Sequence, residues 1–181
     1  YRGIRIIEIQ YDNQSFDGMS GIITHLQQPF IAINKNTTPE RRRFTVAHEL
    51  GHIVLNLDAG IENKEKPCNY FAGAMLFPRS AIEYELGAFR KAISLEELIS
   101  IKDRYGISVA AIVHRAHDIG IINRSYYDHL YDDVINKNRM EIGWGGYKIE
   151  DIPRRYYQLK SRAISEGIID KDTKETEITI L

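Results

Sequence analysis

The stretch Arg43-Phe44-Thr45-Val46-Ala47-His48-Glu49-Leu50-Gly51-His52-Ile53-Val54-Leu55 decides how this chain is read. Just before it, Thr38-Pro39-Glu40 is a helix start: a threonine N-cap, a proline at the first helical position and an acid near the positive end of the dipole. Phe44, Ala47, Leu50, Gly51, Val54 and Leu55 recur at helical spacing, which predicts a helix over 39–56 that Asp58-Ala59-Gly60 stops. Residues four apart share a helical face. His48 and His52 can therefore both reach one tetrahedral zinc ion. Glu49, beside the first histidine, is placed to contact a metal-bound water and to take its proton as that water attacks a carbonyl. The five-residue pattern also arises by chance, with solvated or packed histidines. Here Gly51 clears space beside His52, and Phe44, Val46, Ile53 and Val54 bury the helix, so the metal reading is favoured.

A hydrolytic zinc site needs a third protein ligand and an open fourth position. No further histidine follows shortly, so the candidates are the carboxylates Asp58, Glu62 and Glu65. Glu65 is the best placed. It stands at the mouth of a second apolar helical segment, 68–77, that ends at Pro78. Asn69, four residues on, shares its face and can orient a ligand histidine by a hydrogen bond. Pro67 fits only the first turn of a helix, which leaves the direction of Glu65 less determined. Glu62 stays in reserve, and an acid at a helix start also has a plain electrostatic role.

The two segments together, the first motif and then Glu65-x-x-Cys68-Asn69-x-Phe71-Ala72-Gly73-Ala74-Met75-Leu76-Phe77-Pro78, resemble the ImmA/IrrE family of zinc metallopeptidases in order and spacing. The family pattern is RFTxAHELGHxxL, then ExxAN-x-FA-x-x-LLMP. Residues 95–122 and 155–169 are similar to later family segments, more weakly. The resemblance implies an intracellular gluzincin-like protease with zinc on His48, His52 and Glu65 and Glu49 as the base. It also implies a helix-turn-helix repressor as substrate, and a DNA-binding domain fused to the peptidase or encoded nearby. Cys68 and Phe77 replace the commoner Ala and Met.

Outward from the motifs, the sequence is ordinary for a globular protein. It has 181 residues, 43% hydrophobic and 27% charged, with a net charge of −1. Bulk charge gives no case for nucleic-acid binding. One cysteine, Cys68, excludes an internal disulfide and fits a reducing compartment, here the cytoplasm. No apolar run is long enough to span a membrane. The chain opens on Tyr1 rather than Met, as expected of a piece of a longer protein.

Residues 4–10, 21–25 and 30–34 read as strands of a small antiparallel sheet that includes His25. Helices are expected over 79–90, 94–104 with a Ser94/Glu97 capping box, 109–119, 125–137 and 153–166, with 178–181 as a strand or frayed end. Gly143-Trp144-Gly145-Gly146-Tyr147 is expected to be a loop or short strand. The fold class is α+β: a zinc peptidase core over 1–92, then a helical extension over 93–181 that either stands apart or packs as one unit with the core.

The remaining features have bland readings beside sharp ones. Cys68 is expected to be buried packing rather than a ligand. His114 and His117 are expected on a helix surface rather than in a second metal site. Arg41-Arg42-Arg43 is expected to be a solvated face rather than an anion site. The 94–122 helix-turn-helix is expected to contact protein, not DNA. Tyr126, Tyr127, Tyr131, Tyr156 and Tyr157 line a protein-binding surface or belong to the core. The function expected is a zinc-dependent endopeptidase cutting a regulatory protein. The alternative is a non-cleaving, metal-binding regulatory or antitoxin-like module. The intact Glu49 favours the first, because a structural site needs no base.

Overall fold

A computed structural model describes residues 3–12, 15–55, 57, 63–149 and 154–172. Contacts divide the chain into two compact units, Tyr1–Lys148 and Ile149–Leu181. The helices expected after residue 92 thus pack in one unit with the metal-motif helices as far as Lys148. The fold is α+β, a three-stranded sheet followed by helices. Among the described residues, no helix is long and apolar enough to cross a membrane.

The sheet holds β1 (Arg5–Ile9), β2 (Gly18–Ile23) and β3 (Gln28–Asn34) in the order β1-β3-β2. The expected antiparallel pairing holds for β2 with β3, which face each other across a tight turn, Ser20 opposite Ile31. β1 joins the other edge of β3 in parallel, Ile6 opposite Ile31, so the sheet is mixed. A hairpin dictates the sense of its own two strands only. The longer link before β2 leaves β1 free to take either sense. His25 lies in the turn rather than in a strand, and it is exposed. Ile31, Ala32 and Ile33 of the central strand are buried.

Helix α1 (Pro39–Val54) starts as expected: Thr38 Oγ1 accepts from the Arg41 amide at 3.3 Å, with Pro39 in the first turn. It lies between the sheet and α2 (Glu65–Leu76), and a glycine sits at each contact. A Cβ on Gly18 would meet the Thr45 methyl group. A Cβ on Gly51 would lie 3.3 Å from Cys68 Cα and from Phe71 Cδ1. Small residues at both contacts let three backbones approach closely. Glu65 is the first residue of α2 and Pro67 falls in its first turn, where a missing N–H costs nothing.

The other helices of the first unit are α3 (Arg79–Leu86), α4 (Leu95–Tyr105), α5 (Val109–Asp118) and α6 (Arg124–Leu130). Phe77, Ile82, Leu86, Leu98, Ile112 and Trp144 are among the residues of their shared core. Helix α3 ends at Gly87, earlier than the periodicity suggests. Ser94 Oγ caps α4 by accepting from the Glu97 amide, but the Glu97 carboxylate pairs with Arg90 at 2.7 and 2.8 Å instead of closing the box. Asn123, not Ser125, caps α6, because its Oδ1 reaches the Tyr126 amide at 2.9 Å. That helix then loosens into a π-helical turn, Tyr131–Ile135. Residues 139–149 run as turns and loop. Tyr126, Tyr127 and Tyr131 pack on the core. The second unit holds α7 (Arg154–Ser165). Asp58, Gly60, Glu62, Pro153 and the 178–181 segment lie outside the described residues.

Candidate metal centre

One turn of α1 separates His48 from His52, and the approach of α2 at Gly51 brings Glu65 to both. The His48 and His52 Nε2 atoms are 3.1 Å apart. The Glu65 carboxylate is 3.0 Å from His48 Nε2 and 3.4 Å from His52 Nε2. A tetrahedron with metal bonds of about 2.0–2.1 Å has edges of about 3.3 Å. The two ring nitrogens and the Glu65 carboxylate, with Oε2 toward His48 and Oε1 toward His52, thus gather at separations close to such an edge. Among the described residues this is the group of His, Cys, Asp and Glu side chains that could hold a metal ion.

The surroundings suit that use. Asn69 Oδ1 lies 2.8 Å from His48 Nδ1. With Asn69 accepting, Nδ1 carries the proton and Nε2 turns its lone pair to the other donors. Asn69 follows Glu65 by one turn of α2, so a single helix delivers both the carboxylate and the orienting amide. Glu49 is half-buried on the side of α1 that faces the sheet, and Ser20 Oγ of β2 donates to its Oε2 at 2.7 Å. Sequence reasoning missed Ser20. The contact spans 29 residues, and no local pattern announces it. Cys68 is fully buried under the α1–α2 crossing, as expected. Burial pushes its thiol pKa up, and the nearby Glu65 and Glu49 carboxylates add to the shift. Cys68 is not part of the group that could hold a metal ion.

Two imidazoles and a carboxylate in one group, with a further carboxylate one residue along, are the donor pattern that HExxH metallopeptidases use. The chain belongs to the family described as Peptidase_M78, IrrE N-terminal-like domain, whose model matches residues 1–117. The match runs past residue 92 to the end of α5. No curated protein matches the chain.

Other expected residues fall elsewhere. His114 and His117 join no metal-capable group among the described residues. His114 stacks on Tyr127 and Tyr131, at 5.2 and 4.8 Å between centroids. His114 stays exposed on the helix surface, as expected, and the partial desolvation it receives from its neighbours lowers its pKa from the ordinary 6.5 against the raising effect of Asp118. The arginine run is a solvated face at Arg41, whereas Arg42 and Arg43 are half-buried. Arg41 pairs with Asp17 at 2.7 Å, and Arg42 donates to the Thr37 carbonyl at 2.8 Å. Arg43 donates to the Gly106 carbonyl and sits over the Tyr147 ring.

A cleft of about 860 Å³ opens beside the centre, with Glu65, Asn69, Tyr70 and Arg115 among its walls. Several charges around it are buried. Glu40 accepts from the Tyr147 amide at 2.7 Å. Lys102 pairs with Glu141 at 2.8 Å, and Glu141 also accepts from the Ala110 amide at the start of α5. Arg115 is different. It is 5% exposed, its Nε donates to the Phe77 carbonyl at 3.3 Å, and its shielded Nη1 has no acceptor among the described residues. Leaving a buried charged donor unmet costs about 1–3 kcal/mol or more.

Proposed function

We propose that this chain is a zinc-dependent endopeptidase acting in the cytoplasm on a regulatory protein, a helix-turn-helix transcriptional repressor. The observation that carries the reading is the three-donor face of His48, His52 and Glu65 with Glu49 held beside it. The donor set suits zinc: two imidazoles and one carboxylate leave a fourth tetrahedral position for reactants. When bound, zinc lowers the pKa of a water molecule and polarises the substrate carbonyl.

The chain's own residues do the rest. Asn69 holds the His48 ring, and Ser20 holds Oε2 of Glu49, which leaves Oε1 for the attacking water. Glu49 takes that water's proton and passes it to the leaving amine. Strand β2 is at the edge of the sheet and carries Ser20, so an extended substrate segment can add along its outer side, next to Glu49. The repressor as substrate rests on the likeness of both motifs to peptidases that cut such proteins. DNA contact is left to another domain, fused or encoded nearby.

The test is cleavage of helix-turn-helix repressors encoded beside the gene, read by mass spectrometry, with the parent chain and Glu49→Gln side by side. The parent is expected to cut at one bond. The variant is expected to keep its zinc and lose about 10²–10⁴-fold in rate. Equal cutting by both forms removes Glu49 as the base. Zinc bound by both, with no repressor cut by either, turns the reading into a metal-binding module that does not cleave.

A further inference from the structure

We propose that Arg115 is a subsite for a carboxylate of the bound peptide, three to four residues from the bond that is cut. The proposal rests on the peptidase reading above. Three observations carry it.

The first is an unmet charge. Arg115 is 5% exposed, and among the described residues the acceptor it finds is the Phe77 carbonyl, met by Nε. Nη1 is shielded and has none among the described residues. The other buried or paired ions of the cleft are matched: Arg41 by Asp17 and Lys102 by Glu141. Arg115 forms no ion pair among the described residues.

The second is preorganisation. The guanidinium lies over the Tyr70 ring, with Cζ 5.0 Å from the centroid. The ring face attracts the cation and holds it at the cleft wall, and a guanidinium with unmet N–H groups suits a carboxylate. Its stem is held too, since a Cβ on Gly73 would lie 3.7 Å from Arg115 Cδ.

The third is position. Arg115, Tyr70, Asn69 and Glu65 line the same cleft. Helix α2 is the ruler: Glu65 and Gly73 are eight residues apart, about 12 Å at 1.5 Å per residue. An extended peptide covers that in three to four residues at about 3.3 Å each. An acid at that distance from the scissile bond would meet the unmatched cation. The source of the carboxylate is either an acidic side chain or the end of the peptide chain.

The experiment uses zinc-loaded Glu49→Gln protein, which binds without cutting. The probes are fluorescein-labelled octapeptide mixtures with one position fixed as Glu or Gln, in C-terminally amidated and free-acid forms. Binding is followed by anisotropy. In the amidated set, Glu is expected to outbind Gln by about tenfold at one position. That ratio should fall to near one when Arg115→Gln is added and survive in part with Arg115→Lys. A preference for free acid over amide, lost in the same way, assigns Arg115 to the chain end instead. Equal binding of Glu and Gln at every position, with no gain from the free acid, overturns the proposal. Should Arg115→Gln not fold, the parent ratios and Arg115→Lys still decide. Cleavage by the Glu49-intact chain separates the two readings. Cutting with no carboxylate preference sinks the subsite alone. Carboxylate-selective binding with no cutting sinks the peptidase reading alone.

Discussion

The molecule gathers acids and bases in two places, and they are built on opposite terms. At the metal centre, His48, His52 and Glu65 converge with donor atoms about 3 Å apart, and Glu65 remains largely exposed. At the joint between α1, α4, α5 and the 139–147 loop, every acid meets a donor. Lys102 holds Glu141, Glu141 also holds the Ala110 amide, Glu40 holds the Tyr147 amide, and Asp103 holds the Gly146 amide at 2.8 Å. Two imidazoles and a carboxylate converging on one point suit a cation. Acids that each already meet a cation or a backbone amide call for nothing more. Arg115 is instructive because it breaks the second pattern: it is buried like the joint and unmatched like the centre.

The contrast predicts that damage to the joint costs stability and spares metal, while damage to the centre does the reverse. The largest expected effect is Lys102→Met, which leaves the Glu141 carboxylate buried without its cation. Breaking such a pair costs about 3–5 kcal/mol, read as a lower urea midpoint, with zinc affinity of the folded protein unchanged. Adding Glu141→Gln keeps an acceptor for Ala110 and should recover part of the loss. A single-variant loss below about 1 kcal/mol would mean the pair is not buried in solution. Next is Glu65→Ala. It should weaken zinc binding by more than about a hundredfold in a chelator competition, since outer partners alone are worth 10–100-fold. Its metal-free urea midpoint should hold. Unchanged zinc affinity would move the third ligand to Glu62 or elsewhere.

Asn69→Ala should act in between, costing about tenfold in zinc affinity by freeing the His48 ring, with Glu49-dependent cleavage still present. That prediction marks what was legible in the sequence. The ligand spacing was readable because it is local, i and i+4 on α1 and i and i+4 on α2, whereas Pro67 left the direction of Glu65 open until the packing of α2 on α1 settled it. The joint was not readable. Glu40 looked like a dipole acid at a helix start, yet it is buried and bonded 107 residues away. Lys102 and Glu141 are 39 apart, joined through a loop in which Glu141 takes a left-handed φ of 51°. Ser20 and the parallel sense of β1 were hidden for the same reason. Each depends on how separate elements pack, and hydrophobic period carries no such information.

The smallest expected effect tests the same division between matched and unmatched groups away from both clusters, at His114. From its own helix, Asp118 favours the charged ring and His117 opposes it. From α6 and the π-helical turn, the Tyr127 and Tyr131 rings lie against one side of it, with the Tyr127 hydroxyl 2.9 Å from Nδ1, while the rest of the ring is exposed. That partial desolvation outweighs Asp118, so the folded pKa lies below the ordinary 6.5. The unfolded chain therefore takes up the proton first as pH falls. Stability from this group is full above 6.5 and drains away as pH drops through 6.5 toward the folded value, where the loss is complete. His114→Gln removes that dependence. Metal-free parent and variant should be unfolded in urea from pH 7.5 to 5. The parent midpoint should fall faster than the variant's once the pH passes below 6.5. Taking the difference cancels every contribution that both proteins share. Parallel curves across that range would show that the tyrosines leave the ring as well solvated as in the unfolded chain.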